Sequence, residues 1–478
     1  MKFFSPARIA IATLLALLIC VPLYWPSHAQ EVPAYRNPKL PIEQRVADLV
    51  SRMTLEEKVA QMIGAWENPA FMKTPESRFV ENGAFVPERA AVLLKDGLGQ
   101  MSRPSEVTAG PREEAELTNT IQKWMKENTR LGIPVLFHEE CLHGHVAPKG
   151  TSYPQAIALA STWDPELLHE VFTATAAEAR ARGAEECLAP VLDLARDPRW
   201  GRTEETYGED PYLVSRLGVA AIQGFQGDGP GIDKSHVLAT AKHFAVHGQP
   251  EGGTNVGPAN YSERTIREYW LKPFEAAVKE GHVQTVMASY NEVDGIPSHS
   301  NRHLLVDILR YEWGFRGVLV SDYFGVMELI RVHHVVGTKE AAAKLALDSG
   351  VDVELPFPDA FPSLIEQVKQ GNVSEAAIDR AVANHLRAKF LAGLFDDPFV
   401  DPAYAEKITN SPEHQKLSLQ AAREAIILLK NQGNLLPLDA SKYKRIAVIG
   451  PNAADVHLGG YSNKPGRGVS ILQGIKNR

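Results

Sequence analysis

Cysteine is scarce in this sequence, which has 3 cysteines in 478 residues. So few cysteines exclude the disulfide framework of a small secreted domain, and their spacing matches no structural zinc site. Cys20 lies in an N-terminal segment that we expect to be removed, which leaves Cys141 and Cys187. These two could pair in an oxidising compartment, but we predict two buried thiols.

Basic residues are outnumbered by acidic ones, 50 to 58, which gives a formal charge of −8. Removing residues 1–29 makes the charge −10, because that segment carries Lys2 and Arg8 and no acidic residue. A chain of this charge lacks the basic surface that binds phosphate backbones. We therefore expect no nucleic-acid partner.

Beyond one run near the N-terminus, the sequence lacks apolar stretches long enough to cross a membrane. That run, Ile9–Val21, follows a basic start and precedes a small-residue cleavage site at Ser27–Ala29, which is typical of a secretory signal peptide. The run is shorter than the roughly 20 residues of a membrane span, which argues against an anchored helix. Ile19 stands where a lipoprotein signal at Cys20 would need a small residue. We predict a signal peptide over 1–29, export to the periplasm or the cell exterior, and no stable membrane insertion afterwards.

Short apolar runs alternate with amphipathic helical patterns along most of the chain. This alternation indicates repeated βα units and a parallel sheet, and we predict an α/β fold with a TIM-like barrel over residues 30–395. Asp164 is placed to cap a helix over Pro165–Arg182, and Thr54 with Glu57 forms a capping-box pattern. The seven predicted strands are Gly97–Met101, Val135–Phe137, Leu188–Leu192, Val237–Ala241, Val283–Ser289, Val318–Ser321 and Val351–Leu355.

The sequence becomes rich in turn-forming residues after residue 395, which predicts a linker over 396–418. We expect residues 419–478 to begin an α/β sandwich domain. Its predicted elements are a helix over Gln415–Lys430 and a buried strand over Arg445–Gly450. About 60 residues are too few to enclose a core, so we expect this second domain to be incomplete.

Polar residues follow the predicted strands, at the edge where the active site of a parallel barrel forms. Carboxylates and cations in such a ring suit polyhydroxylated substrates such as sugars, with an aromatic wall for the sugar ring. Trp163, Trp200 and Tyr290 could supply that wall, although an isolated tryptophan is more often a core residue. A carboxylate after a strand is also often only a helix cap. The polar residues are His138, Glu139, Glu140, Asp193, Lys242, His243, Tyr290, Asn291, Glu292, Asp322, Tyr323 and Glu354.

Several segments resemble family 3 of the glycoside hydrolases. They are Met53–Lys58, Asp197–Arg202, Tyr207–Asp210, Ala241–Phe244 and Val320–Tyr323, and the likeness runs from about residue 41 to the end. The resemblance implies a retaining β-glycosidase with no cofactor and no metal, whose catalytic nucleophile is Asp322. It also implies that Lys242, His243 and Arg202 bind substrate hydroxyls or nearby acids, and that Tyr290 neighbours the nucleophile.

The family has a branch that takes its acid/base from an Asp-Ser-His loop soon after Lys-His-Phe. Here the corresponding loop, Gly248–Thr254, contains no such triplet. The chain therefore resembles the two-domain branch, in which a glutamate of the second domain acts as acid/base. We find no residue in 431–478 to nominate for that role and expect the acid/base to be missing.

Glu140 stands where β-glucosidases of the family usually carry aspartate, and the branch active on xylosides often has glutamate. The extra methylene would reach toward the place of a glucose hydroxymethyl group, which a pentose leaves empty. This favours β-xylosides slightly over β-glucosides, since one methylene in a pocket is worth only about 1–3 kcal/mol. The neighbouring Glu139 is an alternative for the side chain that points inward.

Two other interpretations stay open. Loss of the acid/base would leave a catalytically impaired, sugar-binding fragment. Alternatively, His143-Gly144-His145 together with Lys242, His243 and Asp322 superficially resembles a barrel metallohydrolase. The metallohydrolase is disfavoured because the histidine pair lies in the loop beyond its strand.

Overall fold

The computed structural model describes residues 33–229, 231–439, 441–462 and 468–478. The predicted signal peptide over 1–29, including Cys20, lies outside the described residues. Among the helices of the described part, none combines the length and apolar character that a membrane crossing requires.

A parallel sheet of seven strands forms the centre of the molecule. Each strand pairs with the next along the chain, which is the order that successive βα units produce. Residue 63 bridges to residue 354, and residue 353 bridges to residue 320, so the segment that follows the last strand joins it to the first. The sheet thus curls into a TIM-like barrel, as predicted. The strands are β1 Gly64–Trp66, β2 Gln100–Ser102, β3 Leu136–Glu139, β4 Glu186–Cys187, β5 Leu238–Phe244, β6 Thr285–Ala288 and β7 Val318–Val320.

Helices surround the sheet and bury their apolar faces against it. They are α1 Ile42–Arg52, α2 Leu55–Ala60, α3 Pro87–Leu93, α4 Pro111–Asn128, α5 Ala156–Ala160, α6 Pro165–Ala181, α7 Pro211–Gln226, α8 Glu263–Glu268, α9 Leu271–Lys279, a π-helix His303–Glu312, α10 Gly325–Arg331, α11 Lys339–Asp348, α12 Leu364–Lys369, α13 Glu375–Leu391, α14 Pro402–Ile408, α15 Pro412–Glu424 and α16 Ile471–Asn477. Two short antiparallel ribbons, Val80–Glu81 with Ala84–Phe85 and Glu292–Val293 with Ile296–Pro297, lie outside the barrel.

Both predicted helix starts are confirmed. The Asp164 carboxylate accepts a hydrogen bond from the Leu167 amide at 3.0 Å at the start of α6. At α2, the Thr54 hydroxyl and the Glu57 carboxylate accept hydrogen bonds from each other's backbone amides at 3.2 and 2.8 Å. Such reciprocal capping stabilises a short helix by about 1 kcal/mol.

The predicted strands differ from the observed ones at three places. β1 was not predicted, because its three residues follow directly on a helical pattern. Leu188–Leu192 is not a regular strand. The observed strand β4 lies just before it and contains Glu186, which is polar but buried. Val351–Leu355 supplies only the bridges that close the barrel.

Cys141 and Cys187 form a disulfide with their Cα atoms 5.6 Å apart, so the prediction of free thiols is wrong. Both cysteines are fully buried, as predicted. Cys141 follows β3 and Cys187 ends β4, and neighbouring parallel strands bring the two Cβ atoms within bonding reach. Closing a loop of this length lowers the conformational entropy of the unfolded chain, which stabilises the folded state by about 4 kcal/mol.

The segment predicted as a linker is helical and packed on the barrel. Ala405 in α14 is fully buried, and His414 in α15 lies 2.7 Å from the Glu178 carboxylate. The predicted helix over Gln415–Lys430 ends earlier, at Glu424, and leaves the apolar residues 426–429 exposed.

The strand predicted over Arg445–Gly450 is wrong. Ile446 is 49% exposed and Ile449 is 90% exposed, and no described residue pairs with this segment as a strand. A buried strand requires neighbours on both sides and a covering layer. The described residues supply neither at this place, so the apolar pattern alone does not produce a strand.

Candidate active site

A small cavity of about 50 Å³ lies at the carboxyl edge of the sheet. All six residues proposed from the sequence line it, although they come from four different strand ends and one loop. The lining also contains five residues that were not proposed for a role there. The eleven residues are Arg103, Glu140, Leu188, Arg202, Lys242, His243, Met287, Tyr290, Asp322, Tyr323 and Tyr461.

Asp322 follows β7 and is buried, with 6% of its surface exposed. Its Oδ1 accepts a hydrogen bond from the Tyr323 amide at 2.7 Å. Its Oδ2 accepts no hydrogen bond of ordinary geometry from the described residues and lies 3.8 Å from His243 Nε2. One carboxylate oxygen is therefore anchored and the other is uncommitted.

Burial raises the pKa of Asp322 to about 6. The positive charges of Arg202 and Lys242 oppose this effect, as does the nearby Tyr290 hydroxyl, so the pKa rises only part of the way. The carboxyl is ionised at neutral pH, and it is buried with only its Oδ1 accepting a hydrogen bond of ordinary geometry from the described residues. A poorly solvated anion of this kind is a suitable nucleophile.

His299 fixes the backbone that carries Asp322. Its Nε2 accepts a hydrogen bond from the Asp322 amide at 3.0 Å, and burial lowers the pKa of His299 to about 3, so that the ring stays neutral and can accept. Gly325 lies directly against this ring, where a Cβ atom would overlap the imidazole. The sequence following the nucleophile therefore requires glycine at 325 for reasons of space.

Glu140 lies between two cations inside the cavity. Its carboxylate accepts hydrogen bonds from Arg103 Nη2 at 2.7 Å and from Lys242 Nζ at 3.0 Å. Burial acts to raise the pKa of Glu140, but Lys242 and Arg103 outweigh it, and the net effect lowers the pKa. Glu140 is thus a permanent carboxylate that is held in position from both sides.

Glu139 does not point into the cavity. Its carboxylate accepts hydrogen bonds from the Ser105 amide and hydroxyl at 2.8 and 2.7 Å, so of the two neighbouring glutamates it is Glu140 that lines the site. Glu354 likewise only accepts hydrogen bonds from the amides of Ala360 and Phe361. These two carboxylates after strands have structural roles.

Arg202 uses its whole guanidinium group as a fork. Two nitrogens donate to the Glu205 carboxylate, both at 2.9 Å. Nη2, one of these two nitrogens, also lies 3.1 Å from His243 Nε2, and the third nitrogen, Nη1, lies 3.2 Å from His247 Nε2. Because Arg202 has only donors, both imidazoles must accept at Nε2.

His243 is held as a neutral ring in one tautomer. Burial and the adjacent Arg202 lower its pKa well below the usual range. With Nε2 accepting from Arg202, the proton is on Nδ1, which donates to Asp193 at 2.7 Å. His243 Nε2 therefore has no proton to give to Asp322, although the two groups face each other.

Tyr323 is anchored through the interior of the barrel. Its hydroxyl lies 2.8 Å from His138 Nε2, and His138 Nδ1 lies 2.7 Å from Gln100 Oε1. The Tyr290 hydroxyl donates to the Tyr323 carbonyl at 3.0 Å. Tyr290 and Tyr323 are thus held by hydrogen bonds in the lining of the cavity that contains the nucleophile.

The predicted aromatic wall is only partly right. Tyr290 lines the cavity, whereas Trp163 is 73% exposed and is not part of the lining. Trp200 is buried and does not reach the cavity, because it packs edge-on against His247 and donates its indole N–H to Asn255. Trp163 is therefore a surface residue, and Trp200 packs against His247 outside the cavity.

Arg103 is a site residue that the sequence did not suggest. It follows β2 directly and adopts a left-handed backbone conformation with φ of 47°. This turn brings its guanidinium 5.4 Å from the Trp66 ring and 5.0 Å from the Tyr323 ring. The predicted strand stopped at Met101, and ending it at Ser102 would have placed Arg103 at the strand end.

The two histidines of the His-x-His pattern lie outside the cavity. His143 contacts the Tyr153 carbonyl at 3.1 Å, and His145 lies within 4.0 Å of the buried Glu114 and Glu139. These three residues could geometrically hold an ion, but Arg182 donates to Glu114 at 3.1 Å and places a fixed positive charge there. The residues of the disfavoured metallohydrolase alternative do not come together, because His143 and His145 are not among the lining residues that include Lys242, His243 and Asp322.

Comparison with known proteins gives a consistent result. The glycosyl hydrolase family 3 N terminal domain matches residues 54–388, and the corresponding C-terminal domain matches residues 426–478. A beta-xylosidase of Formosa agariphila is 44% identical over 375 residues, which are 73% of this chain and 52% of that protein. The periplasmic beta-glucosidase of Salmonella typhimurium is 33% identical over 447 residues, 90% of this chain and 54% of that protein.

Solved structures show the same likeness. A β-glucosidase from Erythrobacter marinus superposes with a TM-score of 0.86 at 39% identity, over 94% of this chain and 58% of that chain. The β-glucosidase of Listeria innocua, solved with gluconolactone, gives a TM-score of 0.80 at 32% identity, over 91% of this chain and 59% of that chain. The chain spans about half the length of the curated relatives it matches. It belongs to family 3 of the glycosyl hydrolases.

Proposed function

We propose that this chain carries the sugar-binding pocket and the nucleophile of a retaining, exo-acting β-glycosidase that removes terminal β-D-xylosyl or β-D-glucosyl residues. The observation that carries this proposal is the uncommitted, buried Oδ2 of Asp322 inside a ring of fixed charges. Relatives named beta-xylosidase and beta-glucosidase support it.

The proposed reaction has two steps. Asp322 Oδ2 attacks the anomeric carbon and forms a glycosyl-aspartate ester, while the bond to the leaving oxygen breaks and that oxygen takes up a proton from solvent. Water then attacks the same carbon and gives its proton to solvent, the ester bond breaks to restore the Asp322 carboxylate, and the sugar is released with its original anomeric configuration. Glu140, Arg103 and Lys242 would exchange hydrogen bonds with sugar hydroxyls, because a carboxylate between two cations offers donors and acceptors together.

The cavity offers no second carboxyl suited to protonating the leaving oxygen. Glu140 and Asp322 are the only carboxyl groups among its lining residues, and Glu140 is kept ionised by two cations. The alternative is a sugar-binding chain that hydrolyses unactivated glycosides slowly, and the relatives named beta-xylosidase and beta-glucosidase do not favour it. A good leaving group needs little protonation, so activated substrates separate the nucleophile from the acid.

The proposal is tested by trapping the intermediate. We expect 2-fluoro-xylosides and 2-fluoro-glucosides with good leaving groups to form a covalent adduct on Asp322, detected by mass spectrometry of the intact chain and its peptides. Xyloside should react faster, and Glu140→Asp should move the ratio of trapping rates toward glucoside by about tenfold. Glu139→Asp is the matched control, since that residue lies outside the cavity. A folded chain that forms no adduct would refute the nucleophile.

The trapping rate should also depend on pH. The pKa of Asp322 is raised to about 6, so the carboxyl is protonated and inert below that pH and nucleophilic above it. We expect the rate to rise with pH, to reach half its maximum near pH 6 and to level off above about pH 7. His243 and His299 do not titrate in this range, because burial lowers their pKa values. A midpoint near pH 4 would mean that Asp322 is not desolvated as the structure indicates.

We also propose export and a division into two domains. The predicted signal peptide, the disulfide and a relative named as periplasmic support a periplasmic or extracellular site of action. The matches to separate N-terminal and C-terminal family domains support a barrel over 30–395 and the start of a second domain at 419–478.

A further inference from the structure

A network of hydrogen bonds connects helix α13 to the wall of the cavity. His385 of this helix lies 2.7 Å from the Gln61 carbonyl through Nδ1, and its Nε2 lies 3.3 Å from Gln100 Nε2. Gln100 Oε1 lies 2.7 Å from His138 Nδ1, and His138 Nε2 lies 2.8 Å from the Tyr323 hydroxyl. Gln61, His385, Gln100 and His138 are fully buried, so the members of this interior network depend on one another for hydrogen bonds.

Each hydrogen bond in the interior network runs in only one direction. The Gln61 carbonyl can only accept, so His385 Nδ1 must carry the proton. Burial lowers the pKa of His385 well below its usual range, so the ring is neutral and its Nε2 accepts. The Gln100 side chain must therefore turn its NH₂ group toward His385 and its oxygen toward His138.

The same reasoning fixes the proton of the Tyr323 hydroxyl. Because Gln100 Oε1 only accepts, His138 Nδ1 must donate to it. Burial lowers the pKa of His138 to about 3, which leaves Nε2 as an acceptor. The Tyr323 hydroxyl therefore donates to His138 and keeps its proton away from the cavity. A backbone carbonyl at one end of the network thus determines where the proton lies on a residue that lines the cavity.

Tyr323 lies beside the groups that would bind the sugar. Its ring centre lies 5.0 Å from the guanidinium carbon of Arg103, which donates to Glu140 at 2.7 Å. Burial raises the pKa of the Tyr323 phenol, Arg103 opposes this effect and Glu140 adds to it, so the phenol and the Glu140 carboxylate interact. With the network reversed, His138 would donate to the phenol oxygen, and the phenol proton would turn toward Glu140. That proton would then occupy a lone pair that a sugar hydroxyl needs.

We infer that His385 is a positioning residue for the sugar-binding carboxylate Glu140. Acting through Gln100 and His138, it holds the Tyr323 proton on the far side of the phenol and leaves Glu140 free to accept from the sugar. His385 itself is not among the described residues that line the cavity. This inference rests on the proposed function of the pocket.

Removal of the acceptor at position 385 should weaken sugar binding and leave the nucleophile unchanged. In His385→Leu the Gln100 amide loses its acceptor, so it can flip and reverse the network as far as Tyr323. The half-saturating concentration of the 2-fluoro-xyloside should rise about tenfold, which corresponds to the loss of about one hydrogen bond. The limiting trapping rate and its midpoint near pH 6 should stay the same, because Asp322 is not altered. His385→Gln places an acceptor oxygen near the former Nε2 and should restore the binding.

A second substitution interrupts the interior network at another point. Gln100→Met should raise the half-saturating concentration in the same way as His385→Leu. Gln122→Met is the matched control, because Gln122 is also a buried glutamine with two hydrogen bonds, to the carbonyl and amide of Val135 at 2.7 and 3.0 Å. This control should lower the unfolding temperature without changing the half-saturating concentration.

The direction of the hydrogen bonds can also be measured in the unaltered chain. NMR of isotope-labelled histidine should show His138 and His385 as neutral rings that carry their protons on Nδ1. In His385→Leu the proton of His138 should move to Nε2. A structural role alone would leave this proton in place.

The outcomes separate this inference from the proposed function. Weaker binding in His385→Leu and Gln100→Met, restored in His385→Gln and absent in Gln122→Met, supports it. A His138 ring protonated on Nε2 in the unaltered chain overturns it, and so does normal binding in a folded His385→Leu or Gln100→Met variant. In both cases a normal adduct in the unaltered chain leaves the proposed function intact. No adduct in the folded, unaltered chain overturns the proposed function and this inference with it.

Discussion

Asp322→Asn is expected to abolish formation of the glycosyl adduct, with a fall in trapping rate on the order of 10⁴-fold or more. An amide oxygen is a far weaker nucleophile than the carboxylate, and no other lining residue can replace it. Both carboxylate oxygens of Glu140 accept hydrogen bonds from Arg103 and Lys242, and the lone pair of His243 Nε2 accepts from Arg202. Mass spectrometry of the intact variant with the 2-fluoro-xyloside measures the loss. Asp348→Asn, which alters an exposed carboxylate paired with Lys344, should react normally.

The same substitution should stabilise the fold at neutral pH. In an unfolded chain Asp322 has its ordinary pKa of 3.8, whereas burial raises the folded value to about 6. At pH 7 the carboxyl is ionised in both states, and placing the charge in the folded site costs about 3 kcal/mol. The asparagine variant does not bear this cost, so its free energy of unfolding should exceed that of the unaltered chain.

The sign of this difference is checked by lowering the pH. At pH 4 Asp322 is protonated in the folded state and about half protonated in the unfolded state, so most of the advantage of the asparagine variant should disappear. Denaturant unfolding of both proteins at pH 7 and at pH 4 measures it. A variant that loses the adduct and is also less stable at pH 7 would show that Asp322 has a mainly structural role.

Arg202→Lys is expected to have the second-largest effect, although it preserves the charge. A single ammonium group cannot form the fork that holds Glu205, His243 and His247 at 2.9 to 3.2 Å. Buried acceptors that lose their donors should lower the free energy of unfolding by about 2 to 4 kcal/mol. Freed from its fixed tautomer, His243 should shift beside the nucleophile, and the trapping rate should fall about 100-fold.

Arg199→Lys is the matched control for this substitution. Arg199 lies three positions earlier, with 69% of its side chain exposed, and forms an ion pair with Asp197. It should change neither trapping nor stability appreciably, because an exposed pair of this kind contributes little. If Arg199→Lys and Arg202→Lys had equal effects, the fork would not be what organises the two histidines.

Much of the site could be predicted because its chemistry follows the strand ends. Asp322 comes two residues after the end of β7, and Lys242 and His243 lie at the end of β5. Parallel strands bring their carboxyl ends to one edge of the sheet. The resemblance to the glycoside hydrolases then selected these residues from the many polar groups at that edge. It also selected Arg202, which lies in a loop where no periodic pattern would have marked it.

Other features depend on contacts that the sequence does not display. Tyr461 reaches the cavity from a segment more than 100 residues beyond β7, so no local pattern relates it to the site. The disulfide depends on β3 and β4 being neighbours in the sheet. Trp200 resembles a sugar platform in the sequence, but its indole N–H is satisfied by Asn255 and its ring supports His247.

The predicted strand over Arg445–Gly450 failed for a related reason. An apolar run of this kind indicates burial but does not specify what buries it. In the described residues the apolar side chains of 426–429, Ile446 and Ile449 are exposed, with Leu429 92% exposed. The local sequence therefore predicted the barrel helices well, because their capping groups lie within the segment. It predicted this strand poorly, because a strand depends on the residues that pair with it and cover it.

The disulfide between Cys141 and Cys187 has a practical consequence for producing the protein. It joins the residue directly after Glu140 to the end of β4, so the carboxylate between Arg103 and Lys242 is tethered covalently to the neighbouring strand. A recombinant host that keeps its cytosol reducing would yield chains without this tether. Protein directed through an oxidising secretion route, or refolded with a glutathione redox buffer, is the material on which the sugar pocket should be assayed.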